Sequence, residues 1–268
     1  TFIVSLMTLF SEEDFLSWGW RIPFLLSSVL VLLGLWIRRD IDETPDFKKV
    51  KATGQVAKAP LRDTLTHHWR EVLIAAGLKV VETAPFYIFS TFVVSYATST
   101  LSYQKSQVLE AVTVGALIAT VMIPLMGLLS DKIGRKRMYA ISVALLGLFI
   151  VPWFLLLNTG TTWGIMLATI VMFGVLWAPV TAVLGTLCSE IFSANVRYTG
   201  ITLGYQIGAA LAGGTAPLIA TGLLAKYDGD WVPVAWYLLT TVAISLVAIF
   251  FASRVKRSPA INAQPNEL

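Results

Sequence analysis

The sequence predicts an all-α, polytopic membrane protein, and three observations predict it. Of 268 residues, 56% are hydrophobic and 13% are charged, against about 25% charged in an ordinary soluble domain. Mean hydropathy is +0.73, so this inventory cannot build a water-facing surface. Apolar stretches also recur at the length of roughly 20 residues that a helix needs to cross a bilayer. Seven are long enough, at about 20–37, 71–97, 106–130, 138–157, 162–187, 199–225 and 232–252.

Taken in order, residues 1–10 (TFIVSLMTLF) are too short to span, and they lack an initiator methionine, a basic n-region and a small-residue cleavage site. They do not read as a signal peptide. They are expected to be the end of a helix that begins upstream, which makes the chain the C-terminal part of a longer one. Residues 1–37 would then hold this helix end and one complete span. The interval 38–70 is the one long polar stretch, with mixed charge, Pro45, Gly54 and Pro60; it is expected to be a cytoplasmic loop. His67 and His68 are adjacent and would not face one another on a helix, so no metal site is expected there. Six closely connected spans follow, predicting a six-helix bundle over 71–253 and a cytoplasmic tail over 254–268. The single cysteine, Cys188, rules out an internal disulfide and reads as a packing residue.

Orientation follows from the basic residues, because cytoplasmic loops carry the Lys/Arg excess. With the 38–70 interval inside, sixteen basic residues fall on the cytoplasmic side, only Arg21, Lys105 and Lys226 fall outside, and Lys79 lies within a span. The C-terminus is expected to be cytoplasmic. The isoelectric point near 9.2 is then a sign of topology, and no nucleic-acid partner is expected.

Pro85, Pro124, Pro179 and Pro217 lie inside four of the last six spans. Each removes a backbone donor and bends its helix, and the freed carbonyl needs a partner in protein or in a water-lined cavity. In GITLGYQIGAALAGG, Gly200, Gly204 and Gly208 recur every fourth residue, the spacing that lets two membrane helices approach closely. Tyr205 and Gln206 are placed to reach a central cavity from the neighbouring face.

GLLSDKIGRKR, residues 127–137, joins two spans. Gly127 is expected to admit a close helix neighbour, Asp131 to accept from backbone donors at a helix N-terminus, and Gly134 to make a tight turn. Arg135, Lys136 and Arg137 would hold the loop inside. A plain basic loop needs the charges but not this order of Gly, Asp, Gly and Arg. The pattern resembles the loop signature of the major facilitator superfamily. So do FLSWGWRIPFLLSS at 15–28, RDIDETPDF at 39–47, ETAPFYIFSTFVVSYAT at 82–98 and SEIFSANVRYTGITLGYQIGAALAGGTAPLIATGLL at 189–224, which look like its metabolite:proton symporter branch.

The resemblance covers the whole chain. It implies the end of the family's fifth helix, the sixth helix, the central loop and the second six-helix half of a plasma (inner) membrane transporter. It also implies proton-coupled symport of a small organic acid or related metabolite by alternating access, with no cofactor. Such a fragment is not expected to transport alone, since the family's cavity lies between the halves. The acidic residue and arginine of the signature form a latch in the family, which places Asp131 and Arg135 with Gly127 and Gly134 in a gating group. Glu190 and Arg197 read as gate or latch partners.

Within GLKVVETAPFY, residues 77–87, Lys79 and Glu82 stand three apart near the middle of a span. A charged residue at a helix centre costs roughly 2.5–3.5 kcal/mol on insertion scales, so the stripe of Lys79, Glu82, Thr83, Phe86 and Ser90 should face protein. Two readings stay open. The two charges neutralise one another or pair with charges on the helices expected upstream of this chain; or Lys79 attracts an anionic substrate while Glu82 takes and releases the coupling proton. Thr83, Tyr87, Tyr205 and Gln206 join Lys79 as substrate-binding candidates, with Tyr96, Trp177 and Thr181 behind them. Glu110 should reach water near the outer boundary. HExxH, GxSxG and the P-loop pattern do not occur, so the usual apparatus of zinc proteolysis, serine hydrolysis and ATP-driven pumping is missing. An alternative to transport is a non-transporting sensor or scaffold on the same fold.

Overall fold

A computed structural model describes residues 17–39 and 60–254. The stub at 1–10, most of the polar interval and the tail beyond residue 254 lie outside the described residues. The chain forms two compact units, Thr1–Gln55 and Val56–Leu268. In the first, one helical turn at Gly19–Arg21 leads into α1, Ile22–Arg39. This span is apolar along its length and ends on Arg38 and Arg39.

The second unit opens with a short amphipathic helix, α2 (Pro60–His67). Six membrane-length helices follow: α3 (Trp69–Ser99), α4 (Lys105–Ile133), α5 (Arg135–Leu157), α6 (Thr162–Ile191), α7 (Arg197–Lys226) and α8 (Val232–Ala252). With α1 they give seven described helices long and apolar enough to span. Several run a few residues past the apolar stretches, because the helical hydrogen bonds continue into the charged residues at the membrane boundary. Large apolar side chains such as Leu148, Leu218 and Trp236 point outwards. The interior is filled by aromatic rings in edge contact or stacked: Phe89 on Trp153 at 5.1 Å, Trp153 on Phe154 at 4.7 Å and Phe154 on Trp231 at 4.9 Å.

The helices are not uniform. Wide π-type turns interrupt α3 at Ile88–Phe92, α6 at Ile170–Leu176 and α7 at Ala209–Gly213. Pro85 precedes the first and Pro179 follows the second. After the third, α7 breaks at Gly214–Thr215 and restarts at Ala216. Pro217 therefore does not kink a continuous helix as expected. It starts a new segment, where its missing N–H is not needed. Pro152, which the count of four omits, lies inside α5.

α3 is the central element, packed on α8, α7 and α6. Its contact with α7 uses the small-residue stripe. A Cβ on Gly204 would stand 2.6 Å from Ala75 Cβ, and one on Gly208 would stand 2.5 Å from the Ala76 carbonyl oxygen and 2.8 Å from Lys79 Cβ. Gly200 instead admits the Phe192 ring. On the opposite side, a Cβ on Gly77 would stand 2.8 Å from Ala248 Cβ of α8. These close approaches fix the rotation of α3 and turn Lys79 towards α7.

Gly208→Val should lower stability by about 1–3 kcal/mol, the usual cost of overpacking. Gly222→Ala, at a position with nothing within 4 Å, should stay within about 0.5 kcal/mol of the parent. Thermal unfolding in detergent or nanodiscs checks both.

Candidate functional site

The midpoint of Trp69–Ser99 falls at residue 84, so Glu82 lies about 3 Å from mid-span at 1.5 Å per residue. Lys79 Nζ donates to Glu82 Oε2 at 2.5 Å, and the two side chains are 17% and 13% exposed. Neither charge points to the outside of the bundle. Glu82 Oε2 also accepts from Thr83 Oγ1 at 2.8 Å, and Oε1 accepts from Thr181 Oγ1 of α6 at 3.5 Å. Lys79 Nζ sits 4.9 Å from the centre of the Tyr205 ring of α7, where the negative face of the ring attracts a cation. The Tyr205 hydroxyl is buried with no hydrogen-bond partner among the described residues.

The backbone of this turn is held from three sides. Ser245 Oγ of α8 accepts from the Val81 N–H at 3.1 Å and donates to the Gly77 carbonyl at 2.6 Å. These are the acceptor and donor of one i to i−4 pair of the helix, so Ser245 adds a second tie to both groups. Tyr139 Oη of α5 donates to the Leu78 carbonyl at 2.6 Å, and Trp177 Nε1 of α6 donates to the Glu82 carbonyl at 2.7 Å. Pro85 has no N–H to offer the Val81 carbonyl one turn back, so the helix is locally weakened where its neighbours grip it. Ser245 and Tyr139 are buried and were not singled out in the sequence. Their only signal is a hydroxyl within an apolar run, which does not say what it touches.

Thr83 is buried, Tyr87 is 39% exposed and Tyr96 is buried, while Gln206 is exposed. Phe86 is wedged between Trp177, at 5.2 Å, and Phe173, at 5.8 Å. The Tyr96 hydroxyl pairs with Asn158 at 3.0 Å, away from Lys79 and Glu82. Ser90 donates to the Phe86 carbonyl at 2.6 Å. Glu110 is exposed in the second turn of α4.

At the α4–α5 junction, Gly134 alone separates the two helices, with φ at +96°, a conformation that favours glycine. The tight turn expected there is present. Its neighbours differ from expectation. Asp131 Oδ1 accepts from the Arg135 guanidinium at 3.1 Å, not from a helix N-terminal backbone group. The single-residue break keeps the two one turn apart, within side-chain reach. Arg135 also donates to Glu190 Oε1 of α6 at 2.6 Å, tying the junction to a helix 55 positions onward. A cavity of about 440 Å³ adjoins this cluster. No described atom comes within 4 Å of a Cβ placed on Gly127, so the close neighbour expected of it is absent among the described residues. Arg197 Nε donates to the Phe192 carbonyl at 3.4 Å.

A family model described as the Major Facilitator Superfamily matches residues 14–202 and 80–267. The shikimate transporter of Escherichia coli (strain K12) is 31% identical over 96% of this chain and 58% of its own length. The glycine betaine/proline/ectoine/pipecolic acid transporter OusA of Dickeya dadantii (strain 3937) is 30% identical over 98% of this chain and 54% of its own. The inner membrane metabolite transport protein YhjE of Escherichia coli (strain K12) is 31% identical over 96% of this chain and 58% of its own. The chain thus spans little more than half the length of these relatives. No solved structure gives a significant match.

Tyr139→Phe keeps the ring and removes one buried hydrogen bond to the Lys79–Glu82 turn. It should lower stability by about 1 kcal/mol, read from equilibrium unfolding of the purified protein; an unchanged midpoint would show that this tie contributes nothing.

Proposed function

The chain belongs to the major facilitator superfamily, and from that premise we propose that it is part of a secondary active transporter coupling a small organic acid or related metabolite to protons by alternating access. The six helices α3–α8 are then the C-terminal half and α1 the last helix of the N-terminal half, within an inner membrane and with the C-terminus in the cytoplasm. The partners are the organic solute, protons, lipid and the remaining N-terminal helices.

The observation that carries this reading is the Lys79–Glu82 pair, near mid-span and facing α6 and α7. Shikimate, glycine betaine, proline, ectoine and pipecolic acid, the solutes in the relatives' names, each carry a carboxylate. That is the group an ammonium such as Lys79 takes. Lys79 is shared between Glu82 and the Tyr205 ring, so it can turn to a substrate anion without losing every partner. Glu82, deprived of its cation in a low-dielectric setting, then favours its protonated form. Proton and anion load together, and both leave when Lys79 returns. Thr83, Tyr87 and Gln206 complete the substrate side. The Asp131–Arg135–Glu190 cluster, with Gly127, Gly134 and Arg197, serves as the gate: its ionic contacts link the α4–α5 junction to α6 and would break and re-form as the transporter changes state.

In the full-length transporter reconstituted in vesicles, Glu82→Gln should abolish accumulation driven by an imposed pH gradient while sparing solute exchange. Normal accumulation by this variant would remove Glu82 from the coupling role. Lys79→Ala should raise the KM for exchange by about tenfold, the loss expected for one charge-assisted contact.

A further inference from the structure

Glu82 is held by its own helix and by one other. Within α3, Oε2 takes Lys79 and Thr83. From α6, Trp177 Nε1 reaches the Glu82 carbonyl at 2.7 Å and Thr181 Oγ1 reaches Oε1 at 3.5 Å. Trp177 and Thr181 stand four apart, one turn, with Pro179 between them and the wide turn Ile170–Leu176 ending just before Trp177. Trp177 is further fixed by Phe86 and Phe173, whose ring centres lie 5.2 and 5.3 Å away.

We propose that Trp177 and Thr181 are positioning residues through which α6 sets the state of Glu82: the indole anchors the backbone of the carboxylate-bearing turn, and the threonine hydroxyl orients Oε1. This rests on the reading that Glu82 carries the coupling proton, and it supplies what that reading lacks, a link from helix position to the carboxylate. The two contacts differ in length, 2.7 Å against 3.5 Å. The short bond keeps α3 and α6 registered, and the long one is the first to be lost when α6 shifts. π-type turns and prolines are where a membrane helix changes direction, and α6 carries both within three residues of Trp177. Once Thr181 withdraws, the side-chain donors that remain to the carboxylate among the described residues are Lys79 and Thr83, both of α3, so Glu82 leans more heavily on Lys79. When Thr181 is in place, Lys79 is freer to meet an anion.

The test uses the full-length transporter with Thr181→Val, which keeps the shape and removes the donor, and Thr181→Ser, which restores it. Thr181→Val should reduce accumulation under a pH gradient by about tenfold, the effect of one hydrogen bond to a charged group, with the exchange KM changed less than about twofold. Thr181→Ser should recover most of it, and Trp177→Phe, which keeps the ring contacts, should fall in the same direction as Thr181→Val. The independent readout is infrared. The carboxylate band lost in Glu82→Gln should be displaced by Thr181→Val and unmoved by Thr181→Ser. A band that stays in place in Thr181→Val overturns the inference even where Glu82→Gln has abolished accumulation. A displaced band supports the tie even where Glu82→Gln accumulates normally, which would remove only the proton-coupling reading.

Discussion

Hydrocarbon offers no hydrogen bonds, so every polar group placed in it must be satisfied by protein. The turn of α3 from Gly77 to Glu82 is arranged around that constraint. It carries a cation and an anion, and it is followed by a proline that leaves one carbonyl without its helical donor. Four other helices answer it: α8 through Ser245, α5 through Tyr139, α6 through Trp177 and Thr181, and α7 through the Tyr205 ring. None of these contacts would hold if α3 were rotated, and its rotation is fixed by small residues. Gly204 and Gly208 bring α7 against Ala75 and Ala76, and Gly77 brings α8 against Ala248. Packing that looks merely structural therefore aims the charged stripe.

The proposed coupling role asks for a charge pair whose partners can change. A buried pair with every valence filled by rigid neighbours would be inert. Here Glu82 holds short bonds to the Lys79 ammonium and the Thr83 hydroxyl of its own helix and one long bond to another helix. Lys79 in turn has an aromatic face to rest against. Lys79 thus has a second partner besides Glu82, whereas Glu82 has Lys79 as its cation among the described residues. At the far end of α6, Glu190 engages Arg135, so one helix touches both the central pair and the ionic cluster at the α4–α5 junction.

Much of this was legible in the sequence, for physical reasons that also explain the rest. Spans announce themselves by length and apolar composition, and all seven appear where expected; their ends drift because helices continue into charged residues at the boundary. Lys79 and Glu82 stood out because their cost in a span is large and their spacing is helical. The glycine stripe and the turn at Gly134 were legible because glycine favours close approach and positive φ more than any other residue. Contacts between a side chain and a distant backbone leave no local pattern. Ser245 and Tyr139 were invisible for that reason, and Arg135 and Glu190 were legible as members of one gating group without their direct contact. The π-type turns were hidden too, since the prolines mark weak points without saying whether a helix widens, bends or, as at Pro217, starts again. At Gly127 the sequence shows only that a neighbour could approach, and no such neighbour lies among the described residues.

The central claim is that Lys79 and Glu82 satisfy one another inside the bundle. A double-mutant cycle with Lys79→Met and Glu82→Gln, followed by equilibrium unfolding, measures it most directly. The account predicts a coupling of about 2–3 kcal/mol, below the full cost of breaking a buried pair because both side chains keep some exposure, with the double variant more stable than Lys79→Met alone. Effects that add to within about 0.5 kcal/mol, as for independent sites, would contradict it.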